Sequence, residues 1–278
     1  MRRHAEDISL GERFEFGANW LEFLKVLDDD RITQAERSLC QALGVCDLRG
    51  KRFLDAGSGS GLFSLAARRL GAEVTSFDYD PDSVACTREI KKRYFPQDTT
   101  WLIEEGSVLN PFFLSSLGRF DIVYSWGVLH HTGAMWEALG NISNLVSSGG
   151  DLYISIYNNQ GFSSKVWRIV KKVYCMSTEP WRITILLFAL MKLWVPIMVK
   201  DLLKGSPGAT LRNYGKDGGR GMSPWRDLVD WVGGYPFEVA KPEEIFDLYK
   251  SKGFRLEYLK TCGGGLGCNQ FIFKNENR

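Results

Sequence analysis

The sequence predicts an α/β fold in which a mostly parallel sheet carries helices on both faces and ends in an antiparallel pair. Three observations carry this expectation. Strand-like and helix-like segments alternate at regular spacing from Lys51 to Tyr157. The first strand-like segment runs straight into a cluster of glycines that opens a helix. The last two strand-like segments are joined only by a glycine-rich link, which suits a hairpin.

Residues 12–45 read as helical. Phe14, Phe16, Trp20, Phe23, Leu24 and Leu27 form an aromatic, partly amphipathic stretch. The segment DDDRITQAERSLCQALG follows, with acids at the positive end of its dipole and Gly44 near its stop. Residues 1–45 are therefore expected to form an N-terminal helical cap. KRFLDAG reads as the first strand, and GLFSLAARRLG as a helix stopped by Gly71. EVTSFDYD is the second strand, and PDSVACTREIKKRYF a helix opened by Pro81. TTWLIEEGSV and RFDIVYSWGVLHH supply the third and fourth strands. AMWEALGNISNLVSSGG is helix then turn, and DLYISIY is the fifth strand.

The rhythm stops at Asn158. Residues 158–242 show no strand pattern and are expected to form a helical insertion. KPEEIFDLYKSKG then reads as a helix, with FRLEYLKT and NQFIFKN as the closing strands. The expected layout is thus a seven-stranded sheet built from residues 46–157 and 243–278, interrupted by 158–242.

Composition sets the limits. The 278 residues are 44% hydrophobic and 24% charged, an ordinary globular balance. The net charge is +2, too weak to gather nucleic acid by bulk electrostatics, so no nucleic-acid partner is expected. Six cysteines occur without a CxxC pair and read as reduced, mostly buried thiols in a cytoplasmic protein. No metal site is expected. The two arginines at the start have no apolar core behind them, so no secretory signal is read there. Ile183–Val199 approaches membrane-span length, but Lys192 lies inside it and Pro196 interrupts it. That segment is read as lying on a membrane surface or covering a pocket, rather than as a span. Oligomeric state is left open.

The sharpest chemical signal is Asp55-Ala-Gly57-Ser-Gly59-Ser-Gly61. Glycines accept positive φ and let backbone approach a ligand closely, and the helix behind them presents unpaired N–H groups. The spacing is G-x-G-x-G, with Asp55 two residues before Gly57. A carboxylate there opposes a pyrophosphate and suits a ligand that carries an ammonium group. Asp78 ends the second strand, 23 positions after Asp55. An acid at that tip can hold ribose hydroxyls; the alternative is a helix cap or turn residue.

FLDAGSGSG, FDYDP, EEGSV, FDIVYSWGVLHH and SSGGDLYIS occur in the order seen in class I S-adenosylmethionine-dependent methyltransferases. The chain resembles that family over about residues 50–157, and more loosely over 243–275. Within the family it looks most like bacterial quinone and small-molecule methylases, whose fourth strand often ends in a similar Leu-His-His. The resemblance implies a Rossmann-like fold and S-adenosyl-L-methionine as cofactor. It implies that Asp55 holds the methionine ammonium, with Gly57, Ser58, Gly59 and Gly61 shaping the wall beneath it. Asp78 would bind the ribose and Tyr79 would pack on the adenine, with Ser107 and Val108 at the adenine edge. Many relatives carry aspartate where Ser107 stands. Ser125 and Trp126 would lie near the methionine part and the departing methyl.

Methyl transfer to oxygen also requires that a proton leave the acceptor. His130 and His131 stand just past the fourth strand, where an acceptor would lie, and His131 is the first choice for the base. The alternative is that His130 orders the loop and His131 only lines the pocket. Trp20, Tyr157, Asn158, Asn159, Arg220 and Tyr235 are candidate acceptor contacts. Against that, Trp20 reads better as a packing residue of the N-terminal cap, and the asparagine pair also reads as a turn. The pair does not match the Asn-Pro-Pro-Tyr of amino-methylating nucleic-acid enzymes. Trp167, Trp181, Trp194, Trp225 and Trp231 suggest an aromatic lid over the acceptor site, or core packing. Asp227 and Asp230 are further polar candidates, set against a reading as solvated residues. The stretch from Gly221 to Phe254 is similar to the tail of bacterial methyltransferases tied to sugar, lipid or natural-product loci. The expected function is methyl transfer to a small-molecule, lipid-linked or sugar-linked acceptor on oxygen. The alternatives are nitrogen or carbon methylation, a membrane-peripheral quinone-type methylase, and a non-catalytic cofactor-binding protein. A nicotinamide oxidoreductase is disfavoured.

Overall fold

The computed structural model describes residues 4–213 and 224–277. Three helices precede the sheet: α1 (His4–Ser9), α2 (Gly17–Phe23) and α3 (Asp29–Leu43). Helix α3 starts where the Asp28 side chain accepts from the Arg31 amide at 2.9 Å, and it stops at Gly44, whose φ is +66°. The alternating region follows as β1 (Arg52–Ala56), α4 (Leu62–Arg69), β2 (Glu73–Asp78), α5 (Pro81–Tyr94) and β3 (Trp101–Glu105). It continues as α6 (Pro111–Leu117), β4 (Phe120–Trp126), α7 (Met135–Ser143) and β5 (Val146–Tyr157). Four helices come next: α8 (Phe162–Met176), α9 (Glu179–Leu203), α10 (Ala209–Asn213) and α11 (Pro224–Gly233). The chain closes with α12 (Pro242–Ser251), β6 (Phe254–Lys260) and β7 (Cys268–Asn275).

The seven strands lie in the order β3-β2-β1-β4-β5-β7-β6. Strands β1 to β5 are parallel, and β7 runs antiparallel to both β5 and β6. This is the Rossmann-like sheet with an antiparallel closing pair that the alternation predicts. The chain reverses its direction of progress between β1 and β4, and the carboxyl ends there form the crevice in which open α/β sheets bind ligands.

Period-two side-chain placement builds a core on each face. Leu54, Val123, Leu152, Ile154, Phe271 and Phe273 belong to one. Phe53, Leu65, Val74, Ile122, Tyr153 and Ile272 belong to the other. Full burial of each large side chain contributes about 1.5–3 kcal/mol. A third, smaller core joins α8, α9 and α11 around Trp167, Leu186, Trp194, Leu228 and Val232.

Several expectations shift. The fourth strand ends at Trp126, and Leu129–His131 turn as a short 3-10 helix instead of extending the strand. The fifth begins earlier, at Val146. Its register jumps from Phe120–Val146 to Ile122–Asp151, so the Ser147–Gly150 stretch bulges within the strand. Helix α6 was not anticipated; its seven residues are too few to show a period, although Asn110 caps it and Pro111 opens it. Pro196 does not break the apolar segment. Helix α9 continues through it, because one missing amide removes a single intrahelical bond from a 25-residue element whose inner face is packed. The six cysteines are free, but only Cys86 and Cys175 are buried, because Cys40 lies near the end of α3, Cys46 and Cys262 on loops and Cys268 at the first residue of β7, all at least partly exposed.

Candidate active site

A cavity of about 690 Å³ lies at the carboxyl ends of β1, β2 and β4. It falls within the size range of ligand pockets. Its floor is the glycine loop after β1, and side chains from α2, α9 and α11 cover it.

The loop conformation depends on glycine. Gly57 has φ +82°, and an added Cβ would collide with Val128. Gly59 has φ +53°, and a Cβ there would lie 3.2 Å from the Trp20 indole. The loop is therefore a cradle with the Trp20 ring laid over it. Asp55, at the end of β1, is 2% exposed. It accepts from Ser64 Oγ at 2.5 Å; Ser64 pairs with Ser76 at 2.7 Å, and Trp101 Nε1 donates to Ser76 at 2.9 Å. This chain fixes the carboxylate. Burial, with the Asp78 charge adding to it, pushes Asp55 up to about 7 against the Ser64 bond.

Asp78 accepts from the Gly59 amide at 2.9 Å and the Asp80 amide at 3.0 Å. Burial nevertheless pushes it up to about 6. Two carboxylates beside a cradle open to close backbone approach form an acceptor-rich donor set. They fit a ligand bearing an ammonium and vicinal hydroxyls, and they would repel a pyrophosphate.

The N-terminal segment straps this half of the cavity. The Gly17 amide donates to buried Asp80 at 2.7 Å, and Tyr79 Oη donates to Asp7 at 3.1 Å. Arg13 lies 5.0 Å above the Tyr79 ring, and its Nη1 donates to the His131 carbonyl at 3.0 Å. Arg13 thus spans both halves of the cavity. Its sequence context, GERFEFG, gives no periodic or motif signal for that role.

The other half is aromatic. His130 is fully buried and packs on Tyr157 with ring centres 4.0 Å apart and the planes tilted by 42°. Its Nδ1 accepts from the Tyr157 amide at 3.3 Å, which places the ring proton on Nε2. His131 is the reverse. Its Nδ1 lies 2.7 Å from the Pro236 carbonyl. A carbonyl only accepts, so Nδ1 carries the proton and Nε2 carries the lone pair. Phe16 packs on the His131 ring at 5.0 Å. Trp194, Asp227, Asp230 and Trp231 also reach the wall. Behind it, Lys171 is fully buried, donates to the Trp231 carbonyl and lies 4.1 Å from the Trp231 ring centre. Burial pushes Lys171 down to about 7.

The residues singled out from sequence divide accordingly. Asp55, Gly57, Ser58, Gly59, Asp78 and Tyr79 line the cavity. So do Ser107, Val108, Trp126, His130, His131 and Tyr157. Trp20 reaches it from over the glycine loop. Gly61 lies off the wall, as the left-handed cap of α4, with an added Cβ 2.9 Å from Thr87 Cα. Ser125 is fully buried behind the wall and donates to the Ala56 carbonyl at 2.8 Å, tying β4 to β1. Asn158 and Asn159 also lie off the wall. Asn158 accepts from Asn269 at 3.1 Å, and Asn159 accepts from the Gly161 amide at 2.9 Å, closing a turn. Tyr235 lies off it too, its carbonyl accepting from the Phe14 amide at 2.9 Å. Arg220 falls outside the described residues. Of the insertion tryptophans, Trp167 is core, while Trp181 and Trp225 face outward.

Residues 28–183 match a family described as a methyltransferase domain. A tRNA U34 carboxymethyltransferase from Ectopseudomonas mendocina is 32% identical over 122 residues, covering 43% of this chain and 36% of that protein. A ubiquinone biosynthesis O-methyltransferase from Xanthomonas oryzae pv. oryzae is 31% identical over 118 residues, covering 40% of this chain and 45% of that protein. The matches thus span less than half the length of these curated relatives. Among solved structures, a magnesium protoporphyrin IX methyltransferase from Synechocystis with bound S-adenosylhomocysteine aligns with a TM-score of 0.52 at 13% identity. That alignment covers 88% of this chain and 83% of the other, and the likeness is one of fold.

Proposed function

The chain belongs to the methyltransferase-domain family, within the class I S-adenosylmethionine-dependent methyltransferases, and from that membership we propose that it methylates a hydroxyl of a small, lipid-linked or sugar-linked acceptor held beside His131. In this reading Asp55 meets the methionine ammonium, Gly57 to Gly59 underlie the methionine part and Asp78 takes the ribose hydroxyls. Tyr79, Ser107 and Val108 border the adenine, and Trp126 stands near the reacting carbon. The glycine cradle and the two carboxylates support these roles. Bound there, S-adenosylmethionine supplies a methyl group on a positive sulfur, activated for in-line displacement.

The chain itself orients the acceptor, excludes water and removes one proton. The observation that carries the reading is the bond between His131 Nδ1 and the Pro236 carbonyl at 2.7 Å. It holds the imidazole as the tautomer with a basic Nε2, and Phe16 and Tyr157 pack around the ring. His131 then takes the hydroxyl proton as the oxygen attacks. One relative acts on tRNA, which raises RNA as an acceptor. The aromatic wall and a net charge of only +2 support a small acceptor instead.

Replacing His131 with Ala should lower the methylation rate by about 10²–10⁴ while leaving S-adenosylhomocysteine affinity within twofold. Single-turnover kinetics and calorimetry together make the check. An unchanged rate with the true acceptor removes His131 as the base.

A further inference from the structure

Helix α9 carries apolar side chains where a surface helix carries polar ones. Its inner face follows helical spacing: Leu186, Ala189 and Trp194 are buried, and Leu193, Trp194 and Ile197 reach the cavity. The opposite face exposes Leu187, Phe188, Met191, Val195, Met198 and Leu202. Phe188 is 56% exposed and Met191 59%, so more than half of each residue's surface is open to solvent. On α8, Ile169, Val173 and Met176 repeat the pattern at i, i+4 and i+7. The two helices pack together, and each carries such an exposed apolar row.

The charge around this surface is one-sided. Residues 160–213 contain nine lysines and arginines against two acids, Glu179 and Asp201, whereas the whole chain has 35 against 33. Asp201 is further engaged with the Thr210 amide and hydroxyl. Lys171 is buried, but Lys165 and Lys172 on α8, Lys200 and Lys204 at the end of α9 and Arg212 on α10 are all exposed. A second copy of the chain on this face would bring two positive fields together. An anionic headgroup layer would neutralise the rim while its acyl region took the apolar rows.

Helix α9 spans about 37 Å at 1.5 Å per residue. Length alone would let it cross a bilayer. However, its inner face is committed to α8, α10 and α11, so it lies along the protein instead of leaving it. We propose that the exposed α8–α9 face docks on an anionic lipid bilayer, flat in the headgroup plane, with the cavity directly behind α9. The proposal goes beyond methyl transfer and stands on the surface alone. It makes a bilayer-held acceptor the natural occupant of the cavity only if the methyl-transfer reading holds.

The test is flotation of the full chain with vesicles of phosphatidylcholine, alone or mixed with phosphatidylglycerol. Wild type should float with the mixed vesicles, by about tenfold or more over the neutral ones, and should lose this with added salt, since each nearby basic residue adds to the attraction. The double variant Phe188→Glu/Met191→Glu should stay in the dense fraction. It should keep wild-type circular dichroism and S-adenosylhomocysteine affinity. Should it fail to fold, Lys200→Glu/Lys204→Glu replaces it, with the same loss expected. Wild type that floats with neither vesicle overturns the proposal, as does flotation unaffected by either double variant. A wild-type dimer in sedimentation that the same substitutions dissociate, without vesicle binding, assigns the face to a second copy and overturns it too. Absence of S-adenosylhomocysteine binding by wild type would defeat the cofactor reading and leave the flotation result standing.

Discussion

Lowering the pH from 8 to 5 should weaken cofactor binding steeply, because the two carboxylates beside the glycine loop hold their protons unusually late. Asp55 is pushed up to about 7 and Asp78 to about 6, each mainly by burial. The bound ammonium and ribose hydroxyls favour the ionised forms, so the ligand must displace any proton present. At pH 5, ionising Asp55 costs about 3 kcal/mol and Asp78 about 1 kcal/mol, from roughly 1.4 kcal/mol per pH unit. The expected loss of S-adenosylhomocysteine affinity is therefore about 10²–10³, smaller than the product of both terms where removing one charge eases the other. Near pH 6.5, binding should release about one proton in total. Calorimetry in buffers of different ionisation heat reads both quantities, and Asp55→Asn should flatten the profile. An affinity constant within twofold across the range, with heats independent of buffer, would refute the reasoning. The same carboxylates bind protons more tightly folded than unfolded. Their contribution to the stability of the ligand-free protein is present below about pH 4 and is lost as pH rises through 6 to 7.

Three further outcomes are expected. Asp78→Ala should weaken S-adenosylhomocysteine binding by about 1–3 kcal/mol, and a calorimetric affinity equal to wild type would take Asp78 out of the site. Lys171 is pushed down to about 7, below its unfolded value, so the folded chain binds fewer protons and stability should rise by up to about 1.4 kcal/mol per pH unit between pH 7 and 9. Lys171→Met should flatten that rise in denaturant titrations, and an unaltered slope would show that burial leaves the ammonium unperturbed. Trp20→Ala uncovers the glycine loop and should speed S-adenosylhomocysteine release by up to about tenfold in stopped flow, the scale of one aromatic contact. A release rate equal to wild type would mean that the ring does not retain the ligand.

Patterns tied to backbone geometry were legible in the chain. The parallel sheet follows from segments such as KRFLDAG and EVTSFDYD, whose burial needs no distant information. The glycine loop is local too, and the parallel pairing of β1 with β2 sets the strand ends that carry Asp55 and Asp78 side by side. Features set by contact between remote segments were not legible. Arg13 acquires its position from Tyr79 and His131, residues 66 and 118 places away. Ser64 and Ser76 hold Asp55 only because α4 folds back over the sheet. Asn158 and Asn159 looked like acceptor contacts because they follow a strand tip, yet their side chains are spent on Asn269 and on their own turn. Pro196 reads as a breaker by propensity, which tertiary packing of α9 overrides.

Adjacent histidines suggest redundancy, as though either could substitute for the other. The main chain denies it. The Tyr157 amide commits the first ring and the Pro236 carbonyl commits the second to opposite proton placements, and His130 has no exposed surface with which to change roles. Two identical side chains are thereby made chemically distinct, and loss of one leaves no spare.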